Sequence, residues 1–395
     1  SNVWKDPSQF GEIYQEDYFM NIMKEDITIV KELPSHMKSI DIEAVGSLIT
    51  DADVVKEAKP DDYLKKVLPI LRRNGVVHFI GFGNRLGFDP LPPKLQSLRC
   101  KCNFQALKFV PKIQKAGSLI LRRLRNNGVA ESTLDKQLVA DFLPAKDEEP
   151  PEDRPKYLAL HLRFEIDMLA YSLCDFGGGD DEREELKAYR EKHFPLLLAR
   201  LPPHSPPELR KMGKCPLTPE EAALVLAGLG FHRRTRIYVA GSDIYRGESR
   251  MRPFTSIYPN LLTKETILTP QELSPFKNFS SQLAALDFIA CASADVFAMT
   301  DSGSQLASLV SGFRTYYGAG RAPTLRPNKE ELAAILAENE IINWSDFELR
   351  VTTMITEGQR VHPRRSGASI YRHPRCNECM CNSIQGNRSE WVHRS

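Results

Sequence analysis

Lys156-Tyr-Leu-Ala-Leu-His-Leu-Arg-Phe-Glu-Ile-Asp-Met168 is the stretch whose reading decides the fold. Leu158, Leu160, Leu162 and Phe164 alternate with Tyr157, Ala159, His161 and Arg163, the period-two pattern of a β-strand with two distinct faces. His161 and Arg163 therefore point the same way. If the strand runs on, Glu165 joins them and Asp167 follows at the turn. A charge at the end of a core strand is costly unless it is paired or turned toward a crevice, and in open α/β sheets ligands bind in the crevice beyond the carboxyl ends of the strands. Two readings stay open: an Arg–Glu pair that ties down a strand end, or a site.

Downstream, Thr218 caps a helix with Pro219 in its first position and Glu221 completing a capping box, and Gly228 and Gly230 end it. Arg236-Ile-Tyr-Val-Ala240 is the next strand, and Ala294-Asp-Val-Phe-Ala-Met-Thr300 another after a helix capped by Ser280 or Ser281. This alternation predicts a parallel sheet. Thr300-Asp301-Ser302-Gly303-Ser304 then turns from strand to helix, presenting free N–H groups, a positive dipole end and several hydroxyls. Such a turn can seat a phosphate, and its Ser and Asp can equally serve as plain helix caps. Arg163 and this turn together can converge on a diphosphate, the guanidinium as a planar charged fork and the turn as neutral donors.

Upstream, Val76-Val-His-Phe-Ile80 reads as a buried strand, and Gly81, Gly83 and Gly87 as a plain loop exit that matches no phosphate fingerprint. Residues 90–130 hold nine Lys or Arg and no acid. Within them Ile113, Ala116, Leu119, Ile120 and Leu124 form an apolar stripe, and Lys112, Lys115, Arg122, Arg123 and Arg125 fall mostly outside it. The polar face is either simply solvated or a docking surface for a polyanion, in which Lys112, Lys115, Arg122 and Arg123 would hold an acidic acceptor. The acidic, proline-rich residues 145–155 predict a domain boundary, with a first lobe over 1–150, a second over 151–381 and a tail over 382–395.

The chain has 395 residues, 53 basic and 51 acidic, for a net charge of +2. That balance argues against general nucleic-acid binding, and no apolar run approaches the roughly 18 residues of a membrane span. Ser1 in place of Met, with no signal peptide, suggests a processed, trimmed or partial chain, in which any upstream anchor or targeting segment would be invisible. Among eight cysteines, Cys376, Cys379 and Cys381 supply three zinc ligands with His373 as a conceivable fourth, or else disulfides, the favoured use in an oxidising compartment. The N-x-S/T sequons at Asn278, Asn343 and Asn387 are compatible with a secretory route. No Asp-x-Asp pair, His cluster or Gly-rich Lys loop suggests a metal-dependent NTPase.

His161-Leu-Arg-Phe-Glu-Ile-Asp-Met168, Cys215-Pro-Leu-Thr-Pro-Glu-Glu221, Asn278-Phe-Ser-Ser-Gln-Leu-Ala-Ala-Leu-Asp287, Thr300-Asp-Ser302 and the Cys376–Cys381 tail resemble the plant O-fucosyltransferase-like glycosyltransferases, a group that includes pectin rhamnosyltransferases and proteins of pectic arabinogalactan and mannan synthesis. The resemblance implies a GT-B architecture of two Rossmann-like lobes around a cleft. It also implies a type II membrane protein of the Golgi lumen and a metal-free inverting transfer of fucose or a related deoxyhexose from GDP-fucose or UDP-rhamnose to a cell-wall glycan. On this analogy Arg163 neutralises the departing diphosphate, His161 and Asp295 contact the nucleoside, Ser302 and Ser304 hold phosphate beside Thr300 and Asp301, and Asp167 or Glu165 is the base. Family members normally carry a Gly-Gly-Leu-Asn-type loop upstream of the segment matching Val3–Phe10. The first lobe is therefore expected to lack its opening strand and a wall of the donor site. The rival expectations are a non-catalytic glycan-binding or scaffold protein, and a protein O-fucosyltransferase.

Overall fold

The computed structural model describes residues 6–358 apart from residue 51 and segments 55–57, 81–92, 127–131, 140–141, 144–155, 199–203, 301–303, 319–321 and 339–340. It is a mixed α/β protein whose strands pair in parallel. The described residues form two compact units. One holds residues 14–108; the other holds 6–13 with 109–358.

In the smaller unit, β1 (Leu48–Thr50) pairs with β2 (His78–Ile80), Leu48 opposite His78 and Thr50 opposite Ile80. Ile49, Val54, Ala58 and Val67 form its core, with Tyr63, Ile70 and Val77 packed on them. A helix over Leu68–Asn74 ends at Gly75, whose φ of +72° is the left-handed C-cap geometry that glycine adopts without penalty. The strand expected to be buried here is instead exposed along all three residues. It is short, among the described residues it pairs only with β1, and its apolar residues Phe79 and Ile80 stay 38% and 46% exposed.

In the larger unit, β3 (Tyr157–His161), β4 (Arg236–Ala240), β5 (Leu261–Leu262), β6 (Val296–Met299) and β7 (Thr324–Leu325) lie in the order β5-β4-β3-β6-β7. From β3 the chain builds outward to β5, then crosses back to build β6 and β7 on the other side. The sheet is therefore doubly wound, with its topological switch point between β3 and β6. Every residue of β3 is buried, because helices cover both faces. Leu158 and Leu160 pack in the cluster with Ala222, Leu226 and Val351, while the Tyr157 hydroxyl donates to Ala290 O at 2.7 Å on the opposite side. The alternation thus marks two buried faces.

The 219–228 helix starts as its sequence dictates. Thr218 Oγ1 accepts from Glu221 N, and Glu221 Oε2 accepts from Thr218 N at 2.8 Å. A disulfide, Cys174–Cys215, ties the chain just before this helix to the segment after the 166–172 helix. The 111–124 helix, expected in the first lobe, belongs to this unit: it packs on the 280–293 helix, with Gly117 so close that an added Cβ would lie 2.6 Å from Ile289 Cδ1. The expected boundary at residues 145–155 lies outside the described residues.

Candidate functional site at the sheet switch point

β3 and β6 end side by side, and their exits are stitched together. Thr300 Oγ1 donates to His161 O at 3.2 Å and accepts from Arg163 N at 3.1 Å. His161 is buried. Its Nδ1 lies 3.2 Å from Ala240 O, which can only accept, so Nδ1 carries a proton, while Nε2 lies 2.7 Å from Ser304 Oγ. Ser304 Oγ also accepts from Ala307 N at the start of the 305–318 helix. The side chains of His161, Thr300 and Ser304 are therefore engaged with the protein, and they fix three strand exits and a helix start in register. These contacts give His161 and Ser304 a bracing role at the strand exits. Asp301 and Ser302 lie outside the described residues.

The strand does not run on past His161. Arg163 leaves the ladder half-buried, and among the described residues its guanidinium makes no hydrogen bond or ion pair. That sets it apart from the buried arginines. Arg125 pairs with Asp135 at 3.0 Å, and Arg314 donates to Ala292 O and Ala294 O. Glu165 sits at the N-cap of the 166–172 helix, and its carboxylate turns back toward His161. A Cβ on Gly241 would lie 3.7 Å from Glu165 Oε1 and 3.8 Å from His161 Nδ1, so these groups meet where β3 and β4 end. Glu165 Oε1 is 3.4 Å from the Ser242 hydroxyl and Oε2 is buried without a protein partner. Burial raises the Glu165 pKa, the nearby Asp167 charge raises it further, and Arg163 opposes both. Asp167 Oδ1 accepts from Met168 N at 2.9 Å in the first turn of the helix.

Asp295 lies elsewhere. It precedes β6 and accepts from Tyr157 N at 2.9 Å, at the amino ends of the strands. Four strand residues lie between it and Thr300, a separation of about 16 Å. It closes the bottom of the sheet and is not brought to the switch point. The basic helix is also only partly as expected. Lys112 Nζ donates to Pro275 O and Gln282 Oε1, both at 2.9 Å, and sits over the Phe276 ring. Arg123 donates to Ile267 O and grips Glu272 through two bonds of 2.6 and 2.8 Å. Both cations are committed to packing this outer helix. Lys115 and Arg122 remain exposed and, among the described residues, unpaired.

A cluster that the sequence reading passed over fixes Gly241, beside His161 and Glu165. Asp287, buried on the apolar 280–293 helix, accepts from Tyr238 OH at 2.7 Å, Lys264 Nζ at 3.0 Å and Gly241 N at 3.3 Å. Lys264 also donates to Gly241 O at 2.9 Å, so one buried ion pair holds both backbone groups of this glycine, whose φ is +133°. Burial would lower the Lys264 pKa, yet the charges of Asp287 and Glu265 raise it on balance. The signal was an acid in register with Leu283, Leu286 and Ala290. Among the described residues, no three His, Cys, Asp or Glu side chains come together as a metal-binding set; the Cys376–Cys381 tail lies outside them.

The geometry is that of a doubly wound sheet with a braced switch point, beside which Arg163 is unpaired among the described residues and the Glu165 carboxylate turns inward. No solved structure matches the chain. Among characterised plant proteins it is similar to O-fucosyltransferase 8 of Arabidopsis thaliana, 65% identical over 384 residues, which cover 96% of this chain and 63% of that protein. O-fucosyltransferase 15 of the same plant is 58% identical over 97% of this chain and 60% of its own length, and O-fucosyltransferase 2 is 56% identical over 97% and 61%. The chain thus spans about three fifths of the length of these relatives. The profile described as GDP-fucose protein O-fucosyltransferase matches residues 1–317, and with these identities the chain belongs to the O-fucosyltransferase family of glycosyltransferases.

Proposed function

We propose that this chain carries the donor-binding half of an inverting, metal-independent glycosyltransferase of GT-B architecture, working in the Golgi lumen, that moves fucose or a related deoxyhexose from a nucleotide diphosphate to a cell-wall glycan, pectin included. The observation that carries the reading is Arg163, a half-buried cation without a partner among the described residues, at the switch point of a doubly wound sheet. As the glycosidic bond breaks, negative charge builds on the leaving diphosphate, and a guanidinium already in place stabilises that charge with two parallel hydrogen bonds. Glu165 fits the second role. Its raised pKa and unpartnered Oε2 suit a group that accepts the proton of an acceptor hydroxyl as the new bond forms, with Asp167 as the alternative.

The family's description, GDP-fucose protein O-fucosyltransferase, favours GDP-fucose as donor, and protein as well as glycan acceptors enter the proposal on that ground. Titration of the full-length protein with GDP and with UDP by calorimetry tests it. Binding of GDP in the presence of a chelator is the expected result. Binding of neither nucleotide would leave the non-catalytic glycan-binding reading.

A further inference from the structure

We propose that Asn343 carries an N-linked glycan that covers the exposed apolar side chains beside it. Asn343-Trp344-Ser345 is a complete acceptor sequon, and Asn343 lies exposed immediately before the 344–358 helix. Its side chain caps that helix: Asp346 N donates to Asn343 Oδ1 at 2.9 Å, and Asn343 Nδ2 donates to Asp346 Oδ2 at 2.7 Å. The cap uses the carbonyl oxygen and one amide hydrogen. Nδ2 has a second hydrogen, so the nitrogen can bear a sugar without losing either bond.

The surroundings supply the second observation. Ile341 is 83% exposed and Trp344 49%, while Phe347, Val351, Met354 and Ile355 of the same helix are buried. The Trp344 ring stacks on Phe347 with centroids 5.3 Å apart, and its Nε1 donates to Glu348 Oε1 at 2.6 Å. An indole held in one orientation with half its surface in water is an apolar platform that calls for a cover. A sugar on Asn343 starts one residue from that platform and presents apolar C–H faces to it. The Cys174–Cys215 disulfide independently indicates an oxidising compartment, where such modification occurs.

In the transfer itself, an oligosaccharide leaves a polyisoprenyl pyrophosphate carrier. The anomeric C–O bond to pyrophosphate breaks, a C–N bond to Asn343 Nδ2 forms, the amide releases one proton, and the lipid pyrophosphate departs. The inference does not depend on the donor chemistry proposed above. Its test is glycopeptide mass spectrometry on the full-length protein expressed in plant cells, before and after enzymatic deglycosylation, beside the variants Asn343→Gln and Ser345→Ala. The expected result is an occupied Asn343 peptide, lost in both variants. Ser345→Ala keeps the helix cap yet should bind a hydrophobic dye more strongly than the glycosylated protein, and a further Trp344→Gln change should reverse that gain. An unmodified Asn343 peptide, with or without sugar on Asn278, overturns the proposal; so does an occupied Asn343 whose loss leaves dye binding unchanged.

Discussion

Arg163 and Glu165 stand one residue apart on either side of Phe164, yet the fold treats them differently. Among the described residues nothing holds the Arg163 guanidinium, so replacing it should cost function and not stability. Arg163→Lys is expected to lower turnover about a hundredfold, roughly 3 kcal/mol of lost transition-state stabilisation, because one ammonium cannot reproduce the fork. Its melting temperature should stay that of the wild type; a collapse of both would return Arg163 to a structural role. For Glu165 the sign follows from burial, which raises its folded pKa above the unfolded value. Protonation then favours the folded state, a contribution complete below the ordinary carboxylate pKa and lost as pH rises through the raised one. Glu165→Gln should therefore be at least as stable as wild type at pH 8, and it should lack the alkaline rise in kcat/KM that a general base imparts. A variant with that rise intact would exclude Glu165 as the base. Sequence periodicity placed His161, Arg163 and Glu165 on one side of a continued strand, but β3 ends at His161 and Glu165 is already the N-cap of the next helix. Periodicity could not show that His161 and Ser304 spend their polar atoms on each other, because 143 residues of chain separate the two.

At the scale of single elements, the 111–124 helix shows where pattern reading stops. Its apolar stripe is the buried face: Ile113, Ala116, Ile120 and Leu124 are all in the core. The polar face, however, mixes two kinds of cation that local sequence cannot separate, since the partner of Arg123 is Glu272, 149 residues away. The Arg123 bond and the Thr269 backbone hold Glu272 down to about 2. A depressed carboxylate contributes stability above its ordinary pKa and loses it as pH falls toward 2. Both side chains are about a third exposed, so the pair should contribute only about 1 kcal/mol after screening. Arg123→Gln and Glu272→Gln should each lower the melting temperature by a few degrees at pH 7, converge with wild type in acid, and be non-additive together. Lys115→Gln with Arg122→Gln should leave both melting temperature and nucleotide affinity unchanged. A rise in acceptor KM in that double variant would revive a polyanion-docking face on two cations in place of four.

Over the whole molecule, helix and strand alternation was enough to predict a parallel sheet, because a buried parallel strand must be followed by a helix that covers it. Where the units divide was not legible. A proline-rich acidic run such as residues 145–155 signals only that no core residues are present, and a loop within one domain has the same composition. The packing of the 111–124 helix on the 280–293 helix, set by Gly117 against Ile289, is what assigns the segment before that run to the unit of the larger sheet. Cysteine spacing was equally silent about Cys174 and Cys215, which are 41 residues apart and pair across the described core. That disulfide closes a loop whose removal from the unfolded ensemble corresponds to about 4 kcal/mol in the chain-entropy account. It joins the segment leaving the site helix to the capped start of the 219–228 helix, so it acts on the unit that holds Arg163. The double variant Cys174→Ala, Cys215→Ala should therefore melt about 10 °C below the oxidised wild type, and reductant should lower the wild type by at least that amount. Equal melting temperatures with and without reductant would mean that this bond contributes nothing to the stability of the unit.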